Sequence, residues 1–172
     1  SSIVNSIDSL DLLVNNASVF YPKSVENSKV DDWNNVINVN LRAPFFLSKG
    51  LSKKLSSRKG SIINIIDIHA DRPLKNHAVY NISKAGLKMM TQTLAKELAP
   101  SIRVNGVSPG SILWPEASAE ISETEKKLML ETIALNRQGS PQDIADTVLF
   151  LANSYYITGQ IINIDGGRTL NQ

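Results

Sequence analysis

Four short apolar runs, 10–14, 61–66, 102–107 and 160–164, recur between longer stretches in which apolar positions return every three or four residues. The short runs are almost continuously apolar and do not alternate, which is the pattern of parallel strands covered by helices on both faces. The longer stretches, 31–54, 78–99 and 141–152, have helical periodicity. In the second, Leu87, Met90, Thr91, Leu94 and Leu98 form a stripe that predicts one buried face. Pro100 ends that helix, and Ser140-Pro141 opens the last one with a capping serine and a first-turn proline. Strand, helix, strand, helix, strand, helix, strand in that order predicts a doubly wound α/β sheet in one domain, 1–172.

A sheet of this kind that binds a dinucleotide normally begins with a strand, a glycine-rich turn and a helix whose N-terminus holds the pyrophosphate. These residues contain no such turn. The one glycine pair, Gly166-Gly167, follows the last strand and reads as a structural turn with Asp165. If 10–14 were the true first strand, an apolar edge would lie open to pairing with other chains. The expectation is therefore that these residues are the C-terminal part of a longer polypeptide, with the first βαβ units lying outside them.

The length of 172 residues suits one domain. Apolar residues make up 42% and charged residues 20%, and no run approaches the roughly 18 apolar residues of a membrane span. Net charge is +2, and the five basic residues within 49–59 read as a solvated helix end, so no nucleic-acid partner is expected. Cysteine is absent, which excludes disulfides and thiolate-bound metal and fits a reducing, cytoplasmic setting. Two histidines, His69 and His77, are too few for a histidine metal centre. The opening Ser1-Ser2-Ile3 has no charged-then-apolar leader, so no secretory signal is expected.

Candidate chemistry concentrates around one helix start. Tyr80 precedes Lys84 by four residues, so both face the same way on a helix and can reach one substrate. The ammonium is expected to favour the phenolate and lower the tyrosine pKa towards working pH. Asp67 lies thirteen residues before Tyr80, at the end of the second apolar run, where it either joins that chemistry or simply caps its strand. Asn16 and Ala17 follow the first run, and Pro109, Gly110 and Ser111 follow the third, at the strand ends where ligands of open α/β sheets collect. His69 reads as a loop residue near a pocket mouth, and Asp71-Arg72 as an exposed loop pair.

Taken together, Asn15-Asn16-Ala17, Asn40 in Asn38-Val-Asn-Leu41, Tyr80 with Lys84, Pro109-Gly110 and Asp165-Gly166-Gly167 resemble the short-chain dehydrogenase/reductases over essentially the whole chain. The resemblance implies a Rossmann-like fold of which this is the C-terminal two-thirds. It implies catalysis by Tyr80, Lys84 and Asn40, with Asn40 holding a water beside the lysine. It places a nicotinamide cofactor against Asn16, Ala17, Ser18, Tyr80, Lys84, Pro109, Gly110 and Ser111. Family members usually have serine where Asp67 stands. An aspartate there is similar to the pteridine reductases, as are Asn16 to Pro22, Asp67 to Leu74 and Ile112 to Glu116, the bacterial dihydromonapterin or dihydrofolate reductase-like branch being nearest.

That narrower resemblance implies an NADPH-dependent pteridine reductase in which Asp67 and Tyr80 deliver the proton. Phe20, Asp67, Tyr80 and Trp114 would line the pterin site, and 114–132 would form a lid. A second reading is a carbonyl or 3-oxoacyl-thioester reductase of the same family. A third is a catalytically incomplete chain serving as a folding or assembly partner. The family also implies a homotetramer built on the helices containing Asn40 and Tyr80 and on the last helix and strand.

Overall fold

The structure is a computed structural model and describes residues 2–114 and 122–170. Four parallel strands, β1 (Leu12–Asn15), β2 (Ser61–Ile65), β3 (Arg103–Pro109) and β4 (Ile161–Ile164), stand side by side in sequence order. The register pairs Leu12 with Ser61, Ile62 with Val104, and Gly106 with Ile161. The four apolar runs are thus the four strands, shifted by a residue or two at their ends.

Because side chains alternate along a strand, the sheet has two apolar faces and each takes its own cover. On one face Ile62 and Val104, with Ile66 just past the end of β2, pack against helices α3 (Ala43–Ser57) and α4 (Ala78–Leu98) through Leu51, Leu55, Leu87, Met90 and Leu94. On the other, Ile63 and Val107 meet Leu151, with Ile144 and Val148, from helix α6 (Pro141–Asn153). The strand order never reverses while the covering helix changes face at the third crossover. That crossover therefore has the opposite hand to the first two, whereas parallel crossovers normally share one hand. Its consequence is to bring α6, with the preceding helix α5 (Glu123–Glu131), to the carboxyl ends of the strands opposite α4.

The predicted helix over 31–54 is divided. After the short helix α1 (Ser2–Ser6) and β1, helix α2 (Val30–Ile37) passes through a π-helical turn at Asn38–Arg42 into α3, which runs on to Ser57. Pro44 has no N–H to give the Asn40 carbonyl, and the Ala43 N–H bonds back to the Asn38 carbonyl instead, one residue further than an α-helix allows. Within 122–132 the polar sequence holds a helix. Ser122 and Glu125 form a reciprocal capping box that starts α5, while 115–121, part of the expected lid, lie outside the described residues. Among the described residues no helix is long and apolar enough to cross a membrane.

Candidate active site

The carboxyl ends of the strands open on a cavity of about 880 Å³. Each strand sends one loop to it: Asn16 and Phe20 after β1, Asp67 and His69 after β2, Pro109 to Trp114 after β3, and Arg168 after β4. Tyr80, in the first turn of α4, completes the polar part. Leu74, Ile112, Leu113, Met129 and Ile144 make the rest of the wall apolar.

Tyr80 and Asp67 touch. The phenol O–H donates to Asp67 Oδ2 at 2.7 Å, and the backbone N–H of His69 donates to Asp67 Oδ1 at 2.8 Å. Asp67 therefore does both things the sequence allowed: it caps the short 3-10 turn Ile68–Ala70 and faces Tyr80. Burial, and then the charge and hydrogen bond of Asp67, push the Tyr80 phenol well above its usual range. The expectation that Lys84 would lower it is corrected here. Lys84 Nζ stands 5.6 Å from the Tyr80 ring centroid and donates to the Ile65 carbonyl at 3.0 Å, so Asp67, in direct contact, outweighs it. Burial pulls the Lys84 ammonium down to about 8, against the opposing pull of Asp67. The phenol is thus held protonated, with its hydrogen parked on a carboxylate.

The role expected for Asn40 changes as well. Its Oδ1 accepts from the Val19 N–H at 2.8 Å and the Ser18 hydroxyl at 3.2 Å, and its Nδ2 donates to the Val19 carbonyl at 3.0 Å and Ser83 Oγ at 3.1 Å. An asparagine amide has two donors and one carbonyl oxygen with two lone pairs, and all four positions are taken. The side chain therefore has no position left to hold a water. It clamps the loop after β1 to α4, which fixes Phe20 over Tyr80.

Phe20 does not face an open slot on both sides. Its ring stacks on His77, with centroids 4.6 Å apart and planes 13° from parallel, and meets Tyr80 edge-on at 4.8 Å. Even so, Phe20 is 52% exposed as a whole. His77 was not singled out for the site in the sequence, although it lies three residues before Tyr80, at the residue that precedes α4. Arg168 was missed too, although it is the first residue beyond a glycine turn at a strand end. Asp71 and Arg72 are both exposed in the loop after β2, as expected, and Lys88 Nζ grips both Asp71 oxygens at 2.6 and 2.7 Å. Among the described residues no group of three His, Cys, Asp or Glu side chains could hold a metal.

Of the residues expected to meet a cofactor, Asn16, Tyr80, Pro109, Gly110 and Ser111 line the cavity, while Ala17, Ser18 and Lys84 lie behind or beside it. Gly110 lies close against the loop after β4, where a Cβ would fall 2.7 Å from Asp165 Cβ. Here Pro109, Gly110 and Ser111 give the cavity a rim of small residues. The glycine-rich turn that would hold the phosphates is not among these residues.

A sheet that gathers a phenol, an ammonium and a carboxylate at its carboxyl ends, beside a rim of small residues, has the arrangement of an oxidoreductase site of the dinucleotide-binding type. The sequence profile described as Enoyl-(Acyl carrier protein) reductase matches residues 1–169. The chain is 39% identical over 169 residues to 3-oxoacyl-[acyl-carrier-protein] reductase FabG of Aquifex aeolicus, covering 96% of this chain and 68% of that protein. The corresponding protein of Thermotoga maritima is also 39% identical, over 172 residues, with 98% and 70% covered. A solved short-chain dehydrogenase/reductase from Brucella melitensis superposes with a TM-score of 0.83 at 32% identity, covering 93% of this chain and 64% of that one. A 4-hydroxyisoleucine dehydrogenase complexed with NADH superposes with a TM-score of 0.88 at 31% identity, with 99% and 76% covered. The chain belongs to the short-chain dehydrogenase/reductase family of oxidoreductases. It spans about two thirds of the length of these relatives. The narrower resemblance to pteridine reductases is not reproduced by them, since the two sequence relatives are named as 3-oxoacyl reductases.

Proposed function

We propose that the protein is a reductase using NADPH, whose acceptor is a pterin ring and whose proton donor is Tyr80. The observation that carries this is the 2.7 Å hydrogen bond from the Tyr80 phenol to Asp67. A carbonyl being reduced develops negative charge on oxygen, and sites for that chemistry aim hydrogen-bond donors at it. Asp67 accepts at both oxygens and offers such a carbonyl no donor. A pterin, by contrast, presents N–H groups that a carboxylate can accept, and a ring nitrogen that must gain a proton. The bound nicotinamide would supply the hydride. Tyr80, kept protonated, gives its hydrogen to the neighbouring ring nitrogen, and Asp67 orients both partners. Phe20, backed by His77, offers its exposed surface to a flat heterocycle.

The second reading is reduction of a 3-oxoacyl thioester, and the names of the relatives weigh towards it more than towards a pterin. The two readings are separated by following NADPH oxidation by the full-length protein with a dihydropterin and an acetoacetyl thioester in parallel. Turnover of the pterin, lost by 100-fold or more in Asp67→Ser, is the expected result. Turnover of the thioester alone, kept or raised by the same substitution, would establish the second reading.

A further inference from the structure

The cavity has one carboxylate and one guanidinium on its wall among the described residues, Asp67 and Arg168, and they belong to different strand ends. Asp67 lies just past β2 and Arg168 four residues past β4, two places along in the sheet order. Neighbouring strands are about 4.8 Å apart, so the ends of those two strands are about 10 Å from each other. Ile112, Leu113, Trp114 and Met129 supply apolar wall from β3 and α5.

Arg168 is held there by backbone geometry. Gly166 and Gly167 adopt positive φ of 61° and 83°, where a side chain would be strained, and a Cβ on either would lie 2.8 Å from Ile133 or Ala134. The turn they make is closed by Asp165, whose carboxylate accepts from the Gly167 N–H at 2.9 Å and the Thr169 N–H at 2.8 Å. The nearest acid in sequence is thereby committed to the backbone. The Arg168 side chain has neither an ion pair nor a hydrogen bond with any described residue. A half-buried guanidinium beside apolar side chains has lost part of its water without gaining a partner. Its planar fork matches a carboxylate or phosphate in two parallel hydrogen bonds.

We infer that Arg168 binds an anionic group, a carboxylate or a phosphate, on the tail of the acceptor, away from the reacting end at Asp67 and Tyr80. The inference rests on the reading of this cavity as the acceptor site. A pterin carrying an aminobenzoylglutamate tail has carboxylates at its far end, and a thioester on a coenzyme A arm has phosphates at the end of that flexible arm.

The test compares acceptors with and without an anionic tail, on the full-length protein. Dihydrofolate is set against dihydrobiopterin, and acetoacetyl coenzyme A against the acetoacetyl thioester of N-acetylcysteamine. Arg168→Gln is expected to raise KM for the charged member of the active pair about tenfold or more, with kcat and the neutral member changed less than twofold. Arg168→Lys should recover part of the loss, and the wild-type advantage for the charged member should shrink with added salt. An unchanged KM, or an equal rise for charged and neutral members while the neutral one is still turned over, overturns the assignment to Arg168 alone. Absence of turnover with all four acceptors overturns the reading of the cavity and the inference with it.

Discussion

At the scale of single residues, the site sets burial against charge. Lys84 lies buried with one carbonyl partner, and its ammonium is pulled from the ordinary 10.5 down to about 8. Between those values the unfolded chain holds a proton that the folded chain has released, so stability must rise with pH there. Below about pH 8 both states are charged and the folded protein bears the whole cost, a difference of up to about 3 kcal/mol across the interval. Tyr80 acts in the opposite sense, because its raised pKa keeps a proton on the folded protein above pH 10, where the unfolded phenol loses it. The clean window is therefore pH 8 to 10. Denaturant midpoints should climb across it in the wild type, and Lys84→Met should flatten the climb. His77 offers a second case. Its Nδ1 lies 2.9 Å from the Lys75 carbonyl and so carries the hydrogen, leaving Nε2 a buried acceptor with no partner. His77→Phe keeps the stack on Phe20 and removes the orphan, and is expected to raise stability by about 1 kcal/mol, read as a higher melting temperature. A lower melting temperature would mean that the imidazole has another attachment. His77→Ala should instead release Phe20, and raise the acceptor KM with little change in kcat.

At the scale of elements, the strands and the long helices were legible because their signals are local. The stripe Leu87, Met90, Thr91, Leu94 in the sequence is the buried face of α4 in the structure. The Ser140-Pro141 start of α6 was legible for the same reason. The π turn at Asn38–Arg42 was not, since one proline within a helical pattern marks a shift of hydrogen-bond register without saying where it falls. Nor was the capping box of α5, hidden in a stretch whose polarity resembles a loop. The site divided along the same line. Tyr80, Lys84 and Asp67 could be found because spacing along one helix and one strand end fixes their relation. The Asn40 clamp and the Phe20–His77 stack depend on contacts between elements 21 and 57 residues apart, which no local pattern encodes. The buried polar chain beneath the site is of this second kind. Asn15 Nδ2 donates to Asn64 Oδ1 at 2.8 Å, and Asn64 Nδ2 donates to Thr91 Oγ1 at 2.9 Å, joining β1, β2 and α4. Thr91→Val preserves shape but leaves a fully buried amide donor unpaired, and should cost about 1–3 kcal/mol in denaturant unfolding. If the loss were below about 0.5 kcal/mol, the chain would be packing rather than a hydrogen-bonded tie.

At the scale of the whole molecule, the apolar surface left over points to assembly. Ile82 and Met89, seven residues apart on α4, share a face opposite the core stripe, and both are exposed. Trp33 on α2 and the edge-to-face pair Phe45 and Phe46 on α3 add to the exposed apolar surface on that side of the sheet. A second group, Leu149 and Phe150, is exposed on α6, the helix that covers the opposite sheet face. Large exposed apolar groups of this sort are uncommon on monomers and mark contact surfaces. One such surface paired with itself about a two-fold axis gives a dimer, and two on different faces give a tetramer of dihedral symmetry. The expected state of the full-length protein is accordingly a homotetramer, measured as mass by light scattering. Met89→Glu places a charge in the first surface and Phe150→Glu in the second. Each should halve the mass, and together they should yield monomer, because the two surfaces are independent. A wild-type monomer would defeat the argument at once. A single substitution that dissociated the tetramer completely would instead mean that one surface forms only when the other is in place.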